Sequence, residues 1–274
     1  MTKTTSIFRW YTASLIAIAM ISAENAQFPR HGDQFEVFGG GETKLEESSF
    51  TVGLRREAAG VNKCGGSLIA PQYVLTAAHC TFNNYTFVSV GSHYNSGIRG
   101  GGEQIPVAET MVHPEFNWST MAFDVAVLKL LRPVSHPIKP VKLSEREYFE
   151  SPGTWTTVRG WGARENGKFS SVLMQVELQV RERNECNQLL KKADPESPYV
   201  VDETMLCAGG RLGEDTCAGD SGGPLTIDND SVPVQVGVVS WGLGCGAENT
   251  PGVYARVSKH RDFIDRSARG HQWE

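Results

Sequence analysis

The sequence has no apolar run long enough to cross a bilayer and no cluster of lysine and arginine. A transmembrane helix needs about 18 or more apolar residues in succession. The formal net charge is -5, so the chain lacks the basic surface that binds nucleic acid phosphates. Cys-x-x-Cys and His-Glu-x-x-His are absent as well, which argues against a metal site. We therefore expect no membrane span, no nucleic acid partner, no metal and no cofactor.

The N-terminus has the pattern of a secretory signal peptide. Lys3 and Arg9 precede an apolar stretch, 13–21, that is too short to span a membrane and is followed by small residues. We place cleavage near Ala23, with Ala26 as the alternative, and assign residues 1–23 to the signal peptide. The sequence thus predicts a secreted, extracellular protein.

Cysteine usage agrees with an oxidising compartment. An even number of cysteines in a secreted chain predicts three disulfides. Six cysteines can pair in 15 ways, and the sequence alone does not choose among them. The cysteines are Cys64, Cys80, Cys186, Cys207, Cys217 and Cys245.

Short apolar stretches recur between turn residues, which favours an all-β fold. The first series covers 67–69, 73–75, 87–90, 105–107 and 125–131, and the second covers 155–158, 176–180, 224–227, 234–239 and 252–257. Three prolines, Pro133, Pro137 and Pro140, separate the two series. The C-terminus places Val257, Arg261, Ile264 and Ala268 on one helical stripe, which predicts a terminal helix over about 257–268 packed on one of the β halves.

The most informative stretch is Gly219–Pro224, Gly-Asp-Ser-Gly-Gly-Pro. A serine hydroxyl is inert at its free pKa, so it needs a base, and the base needs a third group to orient it. His79, at the end of Leu-Thr-Ala-Ala-His, and Asp124, at the start of Asp-Val-Ala-Val-Leu, supply one of each. Ser221, His79 and Asp124 therefore form a candidate catalytic set.

These motifs, in the order His79, Asp124, Ser221, resemble those of the trypsin-like serine proteases of the chymotrypsin family. The resemblance extends from Val37 to about Ile264. It implies two antiparallel six-stranded β-barrels, about 37–145 and 146–256, followed by the C-terminal helix. It also implies the disulfides Cys64–Cys80, Cys186–Cys207 and Cys217–Cys245.

The function that the resemblance implies is serine endopeptidase activity through an acyl-enzyme. Ser221 would attack the peptide carbonyl, His79 would transfer the proton, and Asp124 would orient His79. The N–H groups of Gly219 and Ser221 would form the oxyanion hole. The implied partners of this monomeric enzyme are protein or peptide substrates and protein protease inhibitors.

Specificity would come from a pocket in the second half of the chain. Asp215 stands where the family has the pocket floor, and Gly242 and Gly252 stand where it has the walls, so the resemblance implies cleavage after Arg or Lys. Ser240 begins Ser-Trp-Gly, which resembles the strand that pairs with a substrate backbone.

Activation is where the chain departs from the family. Residues 24–36 resemble a pro-segment, and the new N-terminus at Val37 would pair with Asp220. The residue before Val37 is Glu36 and not Arg or Lys. We therefore expect a zymogen that does not activate itself.

A second departure concerns calcium. The loop 92–103 begins with Ser92 and keeps only one carboxylate, Glu103, where related trypsins use carboxylates at both ends. One carboxylate is too few for a Ca²⁺ site, so we expect no structural calcium there. The segment Gly242–Ala247 matches a dinucleotide-binding spacing, but no helix pattern follows it, and we assign it no such function.

Three sequons, at Asn84, Asn117 and Asn229, predict N-glycosylation on surface loops.

Two alternatives to a protease remain. A non-catalytic protease homologue would use the same cleft to bind a partner protein, although this chain has lost none of the three residues. An esterase or lipase would also contain Gly-x-Ser-x-Gly, but its order is Ser, Asp, His and not His, Asp, Ser.

Overall fold

The computed structural model describes Met1 and residues 40–97, 102–164, 167–228 and 232–274. The predicted signal peptide and pro-segment, together with Val37 and Asn229, lie outside the described residues. In chain order the regular elements are β1 (Gly41–Glu42), α1 (Leu45–Ser48), β2 (Thr51–Arg55), β3 (Cys64–Ala70), β4 (Tyr73–Thr76), α2 (Ala78–Thr81), β5 (Phe87–Val90), β6 (Glu103–Val112), β7 (Ala126–Leu130), β8 (Lys142–Leu143), β9 (Trp155–Gly160), β10 (Met174–Arg181), α3 (Arg183–Ala193), β11 (Met205–Ala208), β12 (Pro224–Ile227), β13 (Val234–Trp241), β14 (Gly252–Arg256) and α4 (Arg261–Ser267).

The first six-stranded barrel is antiparallel and closed, in the order β2-β3-β4-β7-β6-β5. The pairing of Val52 with Val90 closes it between β2 and β5. Its interior is apolar, with Leu68 and Leu75 fully buried. The barrel carries His79 on α2, directly after β4, and Asp124 two residues before β7, so both side chains lie at one end of adjacent strands.

The second barrel follows the order β9-β10-β11-β14-β13-β12, and pairing of β12 with β9 closes it. Strand β10 shows the alternation of a strand with one buried face, since Met174, Val176, Leu178 and Val180 are buried. Strand β1 adds to β10, and β8 pairs in parallel with β13. The predicted fold of two six-stranded antiparallel barrels is confirmed.

The C-terminal helix packs against the hydrophobic cluster of the first barrel, which Phe263, Ile264 and Ala268 join. The predicted helical stripe was wrong at Arg261, whose side chain is 47% exposed. A 3-10 turn, Val257–His260, precedes α4. Because a 3-10 turn rotates by a larger angle per residue than an α-helix, it shifts the phase of the stripe, and Phe263 is buried instead.

The three disulfides pair as the resemblance implied: Cys64 with Cys80, Cys186 with Cys207, and Cys217 with Cys245. The first joins β3 to the helix that carries His79. The third joins the Ser221 loop to the segment after β13. Two of the three disulfides therefore fix segments that carry site residues.

Helix α3 was not predicted. It buries only Cys186 and Leu190 along 11 residues, so its apolar periodicity is weak. The Glu182 carboxylate caps it by accepting a hydrogen bond from the N–H of Glu185. Within the described residues, no helix has both the length and the apolar character needed to cross a membrane.

Candidate functional site: a protease-like cleft

His79 and Asp124 form a buried pair in the first barrel. His79 Nδ1 lies 2.7 Å from Asp124 Oδ2, and the backbone N–H of His79 donates to Asp124 Oδ1 at 2.9 Å. The Asp124 side chain is fully buried, and the His79 side chain is 15% exposed. The two contacts fix the imidazole plane and leave Nε2 directed away from Asp124.

The chain reaches Asp124 through a strained turn. Phe123 has a φ of +56°, a value that is uncommon for a bulky aromatic residue. The N–H of Val125 donates to the carbonyl of Phe123 at 2.8 Å, so the chain reverses tightly around Asp124. Strain of this kind persists only where the surroundings hold the residue in place, and here the buried carboxylate is held by its donors.

Ser240 supplies a further donor to that carboxylate. Its Oγ donates to Asp124 Oδ2 at 2.5 Å, from β13 of the second barrel. The side chain of Ser240 is thus engaged by Asp124, and only its backbone is left for the predicted pairing with an extended peptide. Sequence reasoning missed this bond because 116 residues separate the two partners.

Ser221 lies on a tight turn held by both barrels. Its carbonyl accepts a hydrogen bond from the N–H of Gly65 in β3 at 2.7 Å, and the N–H of Gly222 donates to Val239 in β13 at 2.8 Å. Gly222 has a φ of +82°, and a Cβ there would lie 2.3 Å from Thr76 Oγ1. Only glycine fits this position. Gly222 is therefore an architectural requirement of the serine turn.

Among the hydrogen bonds of the described residues, none joins Ser221 Oγ to His79. The nearest polar neighbour of His79 Nε2 in that set is Cys80 Sγ, 3.7 Å away. A serine hydroxyl becomes a nucleophile only when a base within hydrogen-bond reach accepts its proton. Cys80 Sγ also lies 3.4 Å from the carbonyl oxygen of Ser221, so the serine and the histidine lie in one cleft next to that cysteine.

Gly219 lies beside Phe169 at the same turn. It has a φ of +100°, and a Cβ there would lie 2.3 Å from Phe169 Cε1, so a side chain would displace the ring. Across the described residues, the N–H groups of Gly219 and Ser221 donate to no protein oxygen. Their role as an oxyanion hole stays a prediction. The ammonium of Lys63 lies 4.0 Å from the centre of the Phe169 ring on this rim of the cleft.

Asp215, the predicted floor of the specificity pocket, is buried in the second barrel. Its Oδ1 accepts from the N–H of Thr216 at 2.7 Å and its Oδ2 from the N–H of Gly246 at 3.0 Å. A Cβ on Gly252 would lie 3.2 Å from Asp215 Oδ1, and one on Gly242 would lie 3.9 Å from Gly252 Cα. The structure thus brings together the three residues predicted to form a pocket.

Burial sets the electrostatics of this pocket. It raises the pKa of Asp215 to about 6, an effect that the hydrogen bonds from Gly246 and Thr216 oppose. No cationic side chain of the described residues pairs with Asp215. A buried carboxylate without a cation is costly, and the two backbone N–H donors offset part of that cost here.

Asp220 is buried beside the serine. Its Oδ1 accepts from the N–H of Gly162 at 2.8 Å, and its Oδ2 accepts from the N–H of Cys217 at 3.0 Å. Burial raises its pKa to about 6, and the two hydrogen bonds lower it in part. Its predicted partner, the amino group of Val37, lies outside the described residues.

Glu103, the one carboxylate of the predicted calcium loop, is bound by protein groups. It accepts hydrogen bonds from Arg132, from the backbone N–H of Ser135, and from both the backbone N–H and Nδ1 of His136. Burial tends to raise its pKa, but the bonds from His136, Arg132 and Ser135 lower it well below the usual range. The oxygens that a calcium ion would need are therefore already in use.

The cluster of Cys64, His79 and Cys80 has side-chain ligand atoms within 4.8 Å of one another. The two cysteines form a disulfide, so neither can supply the thiolate that a metal requires. This cluster is a histidine packed on a disulfide.

The chain belongs to the trypsin family, since the family model described as Trypsin matches residues 37–264. Among characterised proteins it is 39% identical to glucanase inhibitor protein 3 of Phytophthora infestans over 266 residues, which cover 94% of this chain and 96% of that protein. It is 37% identical to glucanase inhibitor protein 2 of the same organism over 93% of this chain and 96% of that protein. It is also 38% identical to glucanase inhibitor protein 2 of Phytophthora sojae, over 93% of this chain and 86% of that protein.

These relatives overturn the interpretation of the chain as an endopeptidase. Its similarity over nearly the full length is to proteins named as inhibitors of a glucanase, and a shared fold does not carry a shared activity. The predictions of a hydrolase, of cleavage after Arg or Lys and of a zymogen were therefore wrong. The trypsin-like domain and its three disulfides stand.

Proposed function

We propose that this chain is a secreted, monomeric, non-catalytic member of the trypsin family that binds a glucan-hydrolysing enzyme and inhibits it. The observation that carries the proposal is the similarity of 35–39% to six glucanase inhibitor proteins over 92–94% of this chain. The match includes both barrels, so the whole domain is available as a binding scaffold. The sequence analysis gave a non-catalytic protease homologue that binds a partner protein as an alternative, and these relatives agree with that alternative.

The disulfides support secretion. Structural disulfides persist in oxidising compartments and are rare in the cytosol. All six cysteines are paired. We propose that residues 1–23, with the apolar segment before Ala23, form a signal peptide that is cleaved during export. We propose that residues 24–36 form a pro-segment that is removed later.

The cleft provides a site for the partner. The pocket of Asp215, Gly242 and Gly252 contains a buried carboxylate with no cationic partner among the described residues. We propose that it receives an Arg or Lys side chain of the partner enzyme. A desolvated pair of this kind at the centre of an interface contributes specificity.

The test is direct binding and inhibition. The secreted protein is titrated against a panel of purified glucanases of different linkage specificity, and glucan hydrolysis and Kd are measured. Ser221→Ala serves as the matched variant, because a catalytic role needs the hydroxyl and a binding role does not. We expect inhibition of at least one glucanase, with wild type and Ser221→Ala differing by less than about twofold.

Two results would contradict the proposal. One is the failure of every glucanase in the panel to bind. The other is loss or proteolytic cleavage of the glucanase with wild type but not with Ser221→Ala. Asp215→Asn tests the pocket separately, with an expected loss of binding of tenfold or more, since a desolvated ion pair with one partner removed costs about 2 kcal/mol or more.

A further inference from the structure

Three aromatic side chains, of which Phe82 and Trp118 are exposed and Phe116 is partly buried, form a cluster beside the helix that carries His79. Phe82 and Trp118 lie 5.1 Å apart between ring centres in an edge-to-face arrangement, and Phe116 lies 5.2 Å from Trp118. Phe82 is 61% exposed and Trp118 is 51% exposed. Aromatic rings bury large areas when they are covered, and the rings of Phe82 and Trp118, supported by the partly buried Phe116, form an apolar surface that is open to solvent.

A sequon lies within two residues of this cluster. Asn84 begins Asn-Tyr-Thr and follows Phe82 at the end of α2. It is exposed and has a φ of +55°, a left-handed turn that asparagine tolerates. No hydrogen bond of the described residues involves the Asn84 side chain. Its amide nitrogen is therefore free in the folded protein.

Tyr85 and Thr86, the other two sequon residues, are held by the barrel. Tyr85 packs against the first hydrophobic cluster, and Thr86 Oγ1 donates to the carbonyl of Arg56 at 2.8 Å. The turn is thereby joined to the first barrel at the two residues that follow Asn84, through a partly buried Tyr85 and a surface hydrogen bond of Thr86. The position of Asn84 next to Phe82 is a property of the fold and not of a loose loop.

We propose that Asn84 carries an N-linked glycan and that the first sugar of this glycan packs on the cluster of Phe82, Phe116 and Trp118. The inference rests on the secretion that is part of the proposed function. A hexose ring presents a face of C–H groups with partial positive charge, and an aromatic ring presents a negative face. Stacking of the two covers the exposed rings without burying the sugar hydroxyls.

The second sequon of this surface, Asn117, is the less suitable anchor. Its side-chain oxygen accepts the N–H of Ser119 at 2.8 Å, and its backbone carbonyl accepts the N–H of Met121 at 2.7 Å. The Asn117 side-chain oxygen therefore fixes the turn next to Trp118, and with it the direction of the Asn117 amide nitrogen. Asn84 has no such structural task.

The modification uses a lipid pyrophosphate-linked oligosaccharide of the secretory pathway as the co-reactant. The Asn84 amide nitrogen forms a C–N bond to the anomeric carbon and loses a proton. The C–O bond to the pyrophosphate breaks, and the lipid pyrophosphate leaves with the electron pair. No oxidation or reduction takes place.

The experiment uses the full chain secreted from a eukaryotic host. Occupancy of Asn84, Asn117 and Asn229 is measured by mass spectrometry of the peptides. Glycans are then trimmed by an endoglycosidase that leaves one N-acetylglucosamine, and Tm is measured for wild type, Asn84→Asp, Phe82→Ala/Trp118→Ala and the combination. Aspartate is chosen because it tolerates the positive φ as asparagine does.

We expect an occupied Asn84 and a Tm that falls by about 2–4 °C in Asn84→Asp. In the Phe82→Ala/Trp118→Ala background the same change should shift Tm by less than about 1 °C, since coupled residues are not additive. Asn229→Asp is the matched control, because its sequon Asn-Asp-Ser has no aromatic neighbour in the sequence. Asn229→Asp should shift Tm by the same amount in both backgrounds.

An unoccupied Asn84, or an Asn84→Asp effect of equal size in both backgrounds, would overturn the inference. If Asn117 or Asn229 carries a glycan and Asn84 does not, the inference about Asn84 is wrong but the proposed secretion still holds. If the chain is retained in the cell, both the inference about Asn84 and the proposed secretion are wrong. Glucanase inhibition, measured in parallel, is independent of either outcome. If Phe82→Ala/Trp118→Ala abolishes glucanase binding and shows no coupling to Asn84, the cluster is a protein-binding surface instead.

Discussion

Ser240 of the second barrel donates a hydrogen bond of 2.5 Å to Asp124, which belongs to the first barrel and orients His79. This bond and the two contacts from His79 bring three donors to one fully buried carboxylate. The cleft is therefore held from both barrels at its centre. The same carboxylate would be expensive to bury if any of these donors were lost.

Ser240→Ala should lower the free energy of unfolding by about 1–3 kcal/mol, because it leaves a buried carboxylate oxygen with one donor fewer. Denaturant unfolding followed by fluorescence measures the change. Ser221→Ala is the control, since it removes a hydroxyl without a hydrogen bond to His79 and should change stability by less than about 0.5 kcal/mol. Equal effects of the two variants would show that the Ser240 bond contributes nothing specific.

Asp215 should make stability depend on pH in the acid range. Its pKa is raised to about 6 in the folded protein from an ordinary value of 3.8. Between these values the folded state binds more protons than the unfolded state, so the contribution of Asp215 to stability is present below about pH 4 and is lost as pH rises through about 6.

The measurement is urea unfolding of wild type and Asp215→Asn from pH 4 to pH 7. The stability of wild type relative to Asp215→Asn should fall by an amount on the order of 1–3 kcal/mol across that window. Asp220 is present in both proteins, so the difference isolates Asp215. A flat difference, or one that increases with pH, would mean that the carboxylate is not desolvated as the structure shows.

Gly222→Ala should destabilise the serine turn more than an ordinary left-handed glycine substitution. A left-handed alanine costs roughly 1–2 kcal/mol, and here the Cβ would also clash with Thr76 Oγ1 at 2.3 Å and with the Gly65 carbonyl at 2.5 Å. Overpacking typically adds about 1–3 kcal/mol. Gly213→Ala is the matched control, because Gly213 has a φ of +80° and no atom within 4 Å of the added Cβ.

Thermal unfolding of the two glycine variants gives the comparison. We expect Gly213→Ala to show the conformational cost alone and Gly222→Ala to lose the larger amount, if it folds at all. If Gly222→Ala is as stable as Gly213→Ala, the serine turn must have space for a Cβ atom at position 222, contrary to the structure.

Calcium should not stabilise this protein through the loop that ends at Glu103. The carboxylate is bound by Arg132, Ser135 and His136, so binding Ca²⁺ would require breaking those bonds. We expect Tm in millimolar Ca²⁺ and in EDTA to agree within about 1 °C. Glu103→Gln, by contrast, should lower stability by about 1–3 kcal/mol, since it removes a charged acceptor. A rise of Tm with Ca²⁺ that Glu103→Gln abolishes would disprove this assignment.

Much of the fold follows from patterns that are local in the sequence. Strand β10 is recognisable because buried and partly exposed residues alternate along Met174–Arg181. Strands β12 and β13 are buried on both faces and were recognised instead as short apolar runs. Helix α3 was not recognised, because it buries only two side chains along 11 residues and its apolar periodicity is therefore weak.

The candidate site divides in the same way. His79, Asp124 and Ser221 each lie in a distinctive local motif, and their meeting in one cleft could be inferred from their order. Three contacts could not be inferred from the sequence, because each joins segments that are far apart in the chain. They are the hydrogen bond from Ser240 to Asp124, the close packing of Phe169 on Gly219, and the hydrogen bonds to Glu103. The activity inferred from the motifs was wrong, because relatives that match nearly the whole chain are named as glucanase inhibitors and one fold can carry different functions.

The sequence by itself determined the trypsin-like class, the set of six cysteines and the identity of the cleft residues, because these depend on residue types at short spacings. Tertiary structure alone decided which atoms meet: that Asp124 accepts hydrogen bonds from both barrels, that Asp215 is buried among glycines without a cation in the described chain, and that the Ser221 turn is bonded to both β3 and β13. These are distances between segments far apart in the chain. They are set by the closing of two barrels against each other, and no pattern along the chain contains them.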